Sequence, residues 1–230
     1  MKINKPFSGF IAADYPKGSV TQWFGENEAL YQRAVIINGV PLKGHNGHDY
    51  VAPWGTPLLA VADGIICDLK DDAGGYGKHV RIFSETSTKG GNEWTYGHLS
   101  LITCKLGDKV KAGDQIGLMG NTGFVVSSQN AGGFWKYNPY AGTHLHFGLR
   151  QMQYKKTGWQ YPGMARRVDC LNYDNGYFGA IDFKDMLDIP EPPKIDWNTT
   201  ENFSILLKIL QILRLKQTTQ TNKQLRTRLS

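Results

Sequence analysis

Five of the six histidines in this 230-residue chain fall in three short islands: 44–49 (Gly-His-Asn-Gly-His-Asp), 96–100 (Tyr-Gly-His-Leu-Ser) and 143–147 (Thr-His-Leu-His-Phe). Imidazole is a common metal ligand and the side chain best suited to moving protons near neutral pH, so this concentration predicts one site. His144 and His146 are two residues apart. In a strand that spacing sends both rings to one face, while Leu145 between them enters the core.

The first island adds a carboxylate. A helix would stack His45 over Asp49, but Gly44 and Gly47 interrupt the run and disfavour helix. A straight strand would hold the two about 13 Å apart, too far to share an ion bound at about 2.0–2.2 Å. The chain must therefore bend here, with Asp49 entering a strand that continues through residues 50–52. His45, Asp49 and one of His144 and His146 supply two imidazoles and a carboxylate. Three protein ligands and an open fourth position are the signature of a catalytic zinc site. His-Glu-x-x-His is absent, which excludes the helix-borne type of zinc site. The three cysteines, Cys67, Cys104 and Cys170, are odd in number, are not spaced as zinc ligands and give no disulfide framework.

Taken together, these stretches resemble the lysostaphin/LytM-type zinc metallopeptidases, the M23 endopeptidases that cut peptide cross-bridges in bacterial cell walls. The first island is similar to the family's Gly-His-x-Gly-x-Asp. Ala52-Pro53-Trp54-Gly55-Thr56-Pro57 with Ala62-Asp63-Gly64, Gly75-Tyr76-Gly77, Tyr96-Gly97-His98-Leu99-Ser100, residues 110–117 with Gly120-Asn121-Thr122-Gly123, and His144-Leu145-His146-Phe147 follow in family order. The resemblance covers roughly residues 20–150. It implies His45, Asp49 and His146 as ligands of one zinc ion per chain, with His98 and His144 as metal-free catalytic partners. Only the resemblance, not the spacing, assigns His146 rather than His144 to the metal. The implied activity is endopeptidase cleavage of peptidoglycan cross-bridges or stem peptides by metal-activated water. A non-catalytic wall-binding or hydrolase-activating module of the same family is the alternative, and all five positions being intact speaks against it. His48 and His79 are read as structural.

The elements that must position these residues are strands. Short apolar or alternating runs at 57–62, 65–69, 79–83, 94–98, 115–119 and 144–149 recur between Gly, Pro and Asp turn signals, which predicts an all-β fold. The resemblance implies antiparallel twisted sheets forming a groove, with the His-bearing strands on its floor. Residues 1–19 form an N-terminal segment, 20–150 the peptidase-like domain and 151–188 an extension packed on it. Residues 124–142 exceed the family's usual loop, and their Phe134, Trp135, Tyr137 and Tyr140 are candidate substrate-stacking aromatics beside His144.

After a Pro-rich linker at 189–202, residues 203–230 change character. They begin as a short basic amphipathic helix and carry six Lys and Arg and no acid, so residues 1–202 hold 20 of each sign and the tail supplies the whole net charge of +6. Charge so localised points to contact with an anionic membrane or wall. The excess is remote from the His islands and no nucleic-acid motif is present, so nucleic acid is not an expected partner. No oligomeric state follows from the sequence. The N-terminal residues lack an apolar leader run. For an enzyme acting at the bacterial cell wall, this points to phage delivery or holin release, as for an endolysin.

Overall fold

The computed structural model describes residues 3–71, 73–125 and 140–187. Strands dominate, as expected. In chain order they are β1 (Val20–Gln22), β2 (Ile36–Ile37), β3 (Val40–Pro41), β4 (His48–Tyr50), β5 (Pro57–Leu59), β6 (Gly64–Asp71), β7 (Lys78–Ser87), β8 (Gly90–Ile102), β9 (Lys109–Val110), β10 (Gln115–Met119), β11 (Leu145–Trp159) and β12 (Val168–Cys170). One helix, α1 (Glu28–Ala34), separates β1 from the small β2–β3 hairpin. None of the described helices is long and apolar enough to cross a membrane.

The main sheet runs β1-β4-β11-β8-β7-β6-β9, with every pair antiparallel. Strand β10 joins β8 to β5 off this path, and β12 flanks β11. The period of two divides the residues cleanly. Leu145, Phe147 and Leu149 of β11, Trp94 and Tyr96 of β8, and Val80 and Ile82 of β7 turn to one side and are buried. They form the core with Tyr50, Phe7 and Phe10. Trp94 stacks on Phe147 at 5.6 Å, and Phe183 closes edge-on against Phe147 at 5.2 Å. Removing each such side chain from water contributes about 2–3 kcal/mol. The alternate residues, His146, Gly148 and Arg150 on β11 and Thr95 and Gly97 on β8, face the other side.

Strand β11 continues past Arg150 to Trp159 and pairs with β12, so residues on both sides of that position share one sheet. Phe183 also carries residues after 150 into the core. Ile3 and Leu187 form a parallel bridge, with the Ile3 amide donating to the Met186 carbonyl at 3.2 Å. The Pro-rich linker at 189–202 and the basic tail at 203–230 lie outside the described residues.

Candidate metal centre and active site

Strands β4 and β11 pair so that Asp49 stands opposite His146. Before β4, the chain bends at Gly44 and Gly47, as the carboxylate–imidazole spacing requires. The bend is held where the His45 amide donates to the Glu26 carbonyl at 2.9 Å and the Gly25 amide to the His45 carbonyl at 2.8 Å. Gly47 is a matter of space. A Cβ there would lie 2.6 Å from the Phe147 carbonyl oxygen and 2.7 Å from Cε1 of His146.

Three donor atoms then converge. His45 Nε2 is 2.9 Å from His146 Nδ1 and 3.0 Å from Asp49 Oδ1, which is 3.2 Å from His146 Nδ1. His45 Nδ1 donates to the Trp23 carbonyl at 3.2 Å, which turns Nε2 toward the carboxylate oxygen. Donor atoms converging at such distances form a pocket that could hold one cation. Ligands of a tetrahedral zinc lie about 3.3–3.5 Å apart when bonded at about 2.0–2.2 Å, close to this triangle. Two nitrogens and one carboxylate oxygen are zinc's usual donor types, so the residues fit the ion.

The electrostatics agree. Burial alone would raise the Asp49 carboxyl, but the His45, His144 and His146 rings around it hold it well below the usual carboxylate range. Burial lowers His146 to about 4, so that ring is neutral at pH 7. Tyr31 stacks on His45 at 5.4 Å and Tyr76 on His146 at 4.8 Å, while Asn46 Nδ2 donates to the Tyr76 hydroxyl at 2.7 Å.

His98 and His144 stand beside this centre, their rings 4.6 Å apart. His144 Nδ1 donates to the Gly142 carbonyl at 2.7 Å, which leaves Nε2 as the free acceptor, 3.6 Å from Asp49 Oδ2. His98 Nδ1 donates to the Thr122 carbonyl at 2.7 Å. Burial, with His144 and His146 nearby, keeps His98 well below the usual histidine range. A β-bulge aims His98: Lys78 pairs with Leu99 and Val80 with Tyr96, so His79 faces both Gly97 and His98. His98 takes the left-handed conformation, φ 64°, at a cost of about 1–3 kcal/mol. Its Thr122 partner is set by close backbone contact, since a Cβ on Gly123 would lie 2.3 Å from the Gly77 nitrogen.

The other two histidines lie outside this cluster. Buried His48 lies on Phe183 at 4.2 Å and bonds the Tyr50 hydroxyl at 3.0 Å and Asp182 Oδ1 at 2.9 Å. His79 Nδ1 donates to the Gly77 carbonyl at 3.0 Å.

The site opens into a groove. On one side a cavity of about 610 Å³ is lined by His98, His144 and His146, by Leu30, Ile36 and Ile37 from α1 and the β2–β3 hairpin, and by Lys70, His79 and Arg81. On the other, Tyr15, Trp54 and Tyr140 flank His144 and Asp49. Tyr140 is two-thirds exposed and stands edge-on to Trp54 at 5.7 Å. Phe134, Trp135 and Tyr137 lie outside the described residues. Sequence reasoning missed Tyr31, Tyr76, Trp54 and the Trp23 carbonyl. The helix formers Glu-Ala-Leu-Tyr-Gln-Arg-Ala at 28–34 were the available signal for the element that carries Tyr31.

The model of Peptidase family M23 matches residues 43–158. The DD-carboxypeptidase/endopeptidase Mpg of Neisseria meningitidis is 44% identical over 106 residues, covering 46% of this chain and 20% of that protein. The glycyl-glycine endopeptidase ALE-1 of Staphylococcus capitis is 35% identical over 162 residues, covering 67% and 40%. Among solved structures, the catalytic domain of a mutant of the prophage-encoded M23 protein EnpA from Enterococcus faecalis is 28% identical, with a TM-score of 0.41 over 62% of this chain and 87% of that one. The chain spans about a fifth of the length of most of the named relatives it matches.

Proposed function

As a chain matched over half its length by the family model, this protein belongs to peptidase family M23, and we propose that it is a zinc-dependent endopeptidase acting on the peptide part of bacterial peptidoglycan. The observation that carries this reading is the convergence of His45, Asp49 and His146 beside two further histidines in an open groove. The relatives named above as a carboxypeptidase/endopeptidase and a glycyl-glycine endopeptidase support the substrate class.

His45 Nε2, Asp49 Oδ1 and His146 Nδ1 would hold the ion. When bound, zinc supplies a Lewis acid that polarises the scissile carbonyl and makes water acidic enough to attack it at neutral pH. The chain's own residues do the rest. His98 and His144 have their Nδ1 protons committed to backbone carbonyls, so each offers an Nε2 lone pair as proton acceptor. One accepts the proton of the attacking water. A protonated imidazole of the pair then donates to the leaving amine, and no covalent acyl-enzyme is required. Trp54 and Tyr140 on the far side of His144 offer exposed rings on which substrate can stack.

The test is mass spectrometry of cross-linked muropeptides from several wall types, incubated with the protein with and without chelator. Chelator-sensitive cleavage is expected. Wall binding that survives chelation without any cleavage would place the protein among non-catalytic wall-binding modules.

A further inference from the structure

We propose that Trp23, Asp182, Phe183 and Lys184 are positioning residues of the metal centre: without touching the ion, they hold its ligands in place and so set the affinity for zinc. All four lie outside residues 43–158, the stretch that the family model matches. This inference rests on the zinc peptidase reading and deepens it.

Each metal ligand has a neighbour that leads to residues 182–184. His45 Nδ1 bonds the Trp23 carbonyl, and the Lys184 ammonium sits over the Trp23 ring, 4.0 Å from its centre. Asp49 is preceded by His48, whose Nε2 donates to Asp182 Oδ1 at 2.9 Å and whose ring lies on Phe183 at 4.2 Å. His146 is followed by Phe147, which Phe183 meets edge-on at 5.2 Å. His48 and Phe147 are paired across the β4–β11 ladder, one position along from Asp49 and His146. Three consecutive residues thus reach the immediate surroundings of all three donors.

These three residues are themselves well fixed. The Ile181 amide donates to the Leu149 carbonyl at 3.0 Å, which ties the segment to β11. The Met186 and Leu187 amides donate to the Phe183 and Lys184 carbonyls at 2.8 and 3.2 Å. Asp182 Oδ1 accepts from both His48 Nε2 and the Lys184 amide at 2.9 Å, so the cation over Trp23 and the ring beside Asp49 share one anchor. Trp23 has no strand to hold it, since it lies between β1 and α1. Its indole is held by the edge-on His48 ring at 5.0 Å, by Lys184, and by Asp14 Oδ1, which accepts from Nε1 at 2.5 Å. Its amide donates to Glu26 Oε2 at 2.9 Å.

His45 is the ligand that needs this support. Asp49 and His146 are paired in register, whereas His45 comes from the bend before β4. A hydrogen bond to the outer nitrogen of a ligating imidazole fixes the direction of the ring, and losing such a partner costs roughly 10–100-fold in metal affinity. The Trp23 carbonyl can play this part only while its loop is in place, and the indole contacts are what place it. In a loosened loop only a fraction of molecules present His45 correctly, and the apparent zinc affinity falls by that fraction.

The experiment uses the full-length protein freed of metal. Zinc affinity is measured by competition with a chromogenic chelator, thermal unfolding is followed without metal, and muropeptide cleavage is measured at saturating zinc. Trp23→Leu should weaken zinc binding roughly 10–100-fold. Lys184→Ala, an exposed change, should leave the melting temperature in place and weaken zinc binding about threefold, as for a partly exposed cation–π contact. Lys184→Arg should restore it. Ile116→Val, in the core on β10, should lower the melting temperature and leave zinc affinity unchanged. Unchanged affinity in Lys184→Ala, no rescue by Lys184→Arg, or an equal loss of affinity in Ile116→Val would overturn the positioning role. Weakened zinc binding in the expected order without cleavage of any muropeptide would retain that role and sink the peptidase reading; cleavage by the unaltered protein, with the same zinc affinity in every variant, would do the reverse.

Discussion

Asp49 Oδ1 and His146 Nδ1 meet at 3.2 Å across the β4–β11 ladder, with the two residues directly opposite in register. The candidate metal centre is thus fixed by strand pairing as well as by its own donor atoms. Only the third donor, His45, depends on a loop.

Replacing His45, Asp49 or His146 with alanine should abolish stoichiometric zinc binding, read by metal analysis after dialysis. His144→Ala should retain zinc and lose turnover by about 10²–10⁴-fold, the usual worth of a proton-transfer group. Loss of metal in His144→Ala with retention in His146→Ala would reverse the assignment.

Gly47→Ala should weaken zinc affinity and lower stability by about 1–3 kcal/mol, the usual range for overpacking. The added Cβ would stand 2.7 Å from His146 Cε1, so the ring must move off its donor position. Zinc titration and urea unfolding of the same variant report both effects. Unchanged affinity would mean that the bend at 44–47 has room to relax.

His98→Asn should separate fold from chemistry. Asparagine tolerates the left-handed conformation that His98 adopts and keeps a polar group near the Thr122 carbonyl. The melting temperature should stay within a few degrees (about 1 kcal/mol), while turnover falls at least about a hundredfold. A fully active variant would remove His98 from the mechanism.

Stability should fall as pH drops from about 6.5 toward 4, in part through His48. Burial lowers this ring from 6.5 to about 4, although its hydrogen bond to Asp182 pulls the other way. In that window the unfolded chain takes up a proton that the native ring refuses, so stability rises with pH and is fully present above 6.5. The linked contribution is of the order of 3 kcal/mol. His48→Phe should flatten this part of the pH profile when urea unfolding is followed in chelator. An unchanged slope would place the effect on other groups.

Much of the strand framework was legible because alternation is a local signal. Leu145, Phe147 and Leu149 mark the core face of β11 and leave His146 on the other, and the two glycines around His45 announce the bend before β4. The groups that orient the histidines were hidden for physical reasons. Tyr31 sits on a helix of seven residues, too short for a clear period. Tyr76 and the Trp23 carbonyl act from loops that long-range packing brings to the site. The alignment of Lys70 with His79 depends on a β6–β7 register with a shift between Ile66 and Asp68, which no local pattern encodes.

The bridge between Ile3 and Leu187 bears on how this fold can be transplanted. Ile3 and Leu187 lie side by side, so a cassette of residues 3–187 should fit into a host loop without stretching either junction. A cassette cut to residues 43–158 would discard the Trp23 carbonyl under His45 and the Asp182–Phe183 pair under His48, and should be delivered with its histidines misaligned.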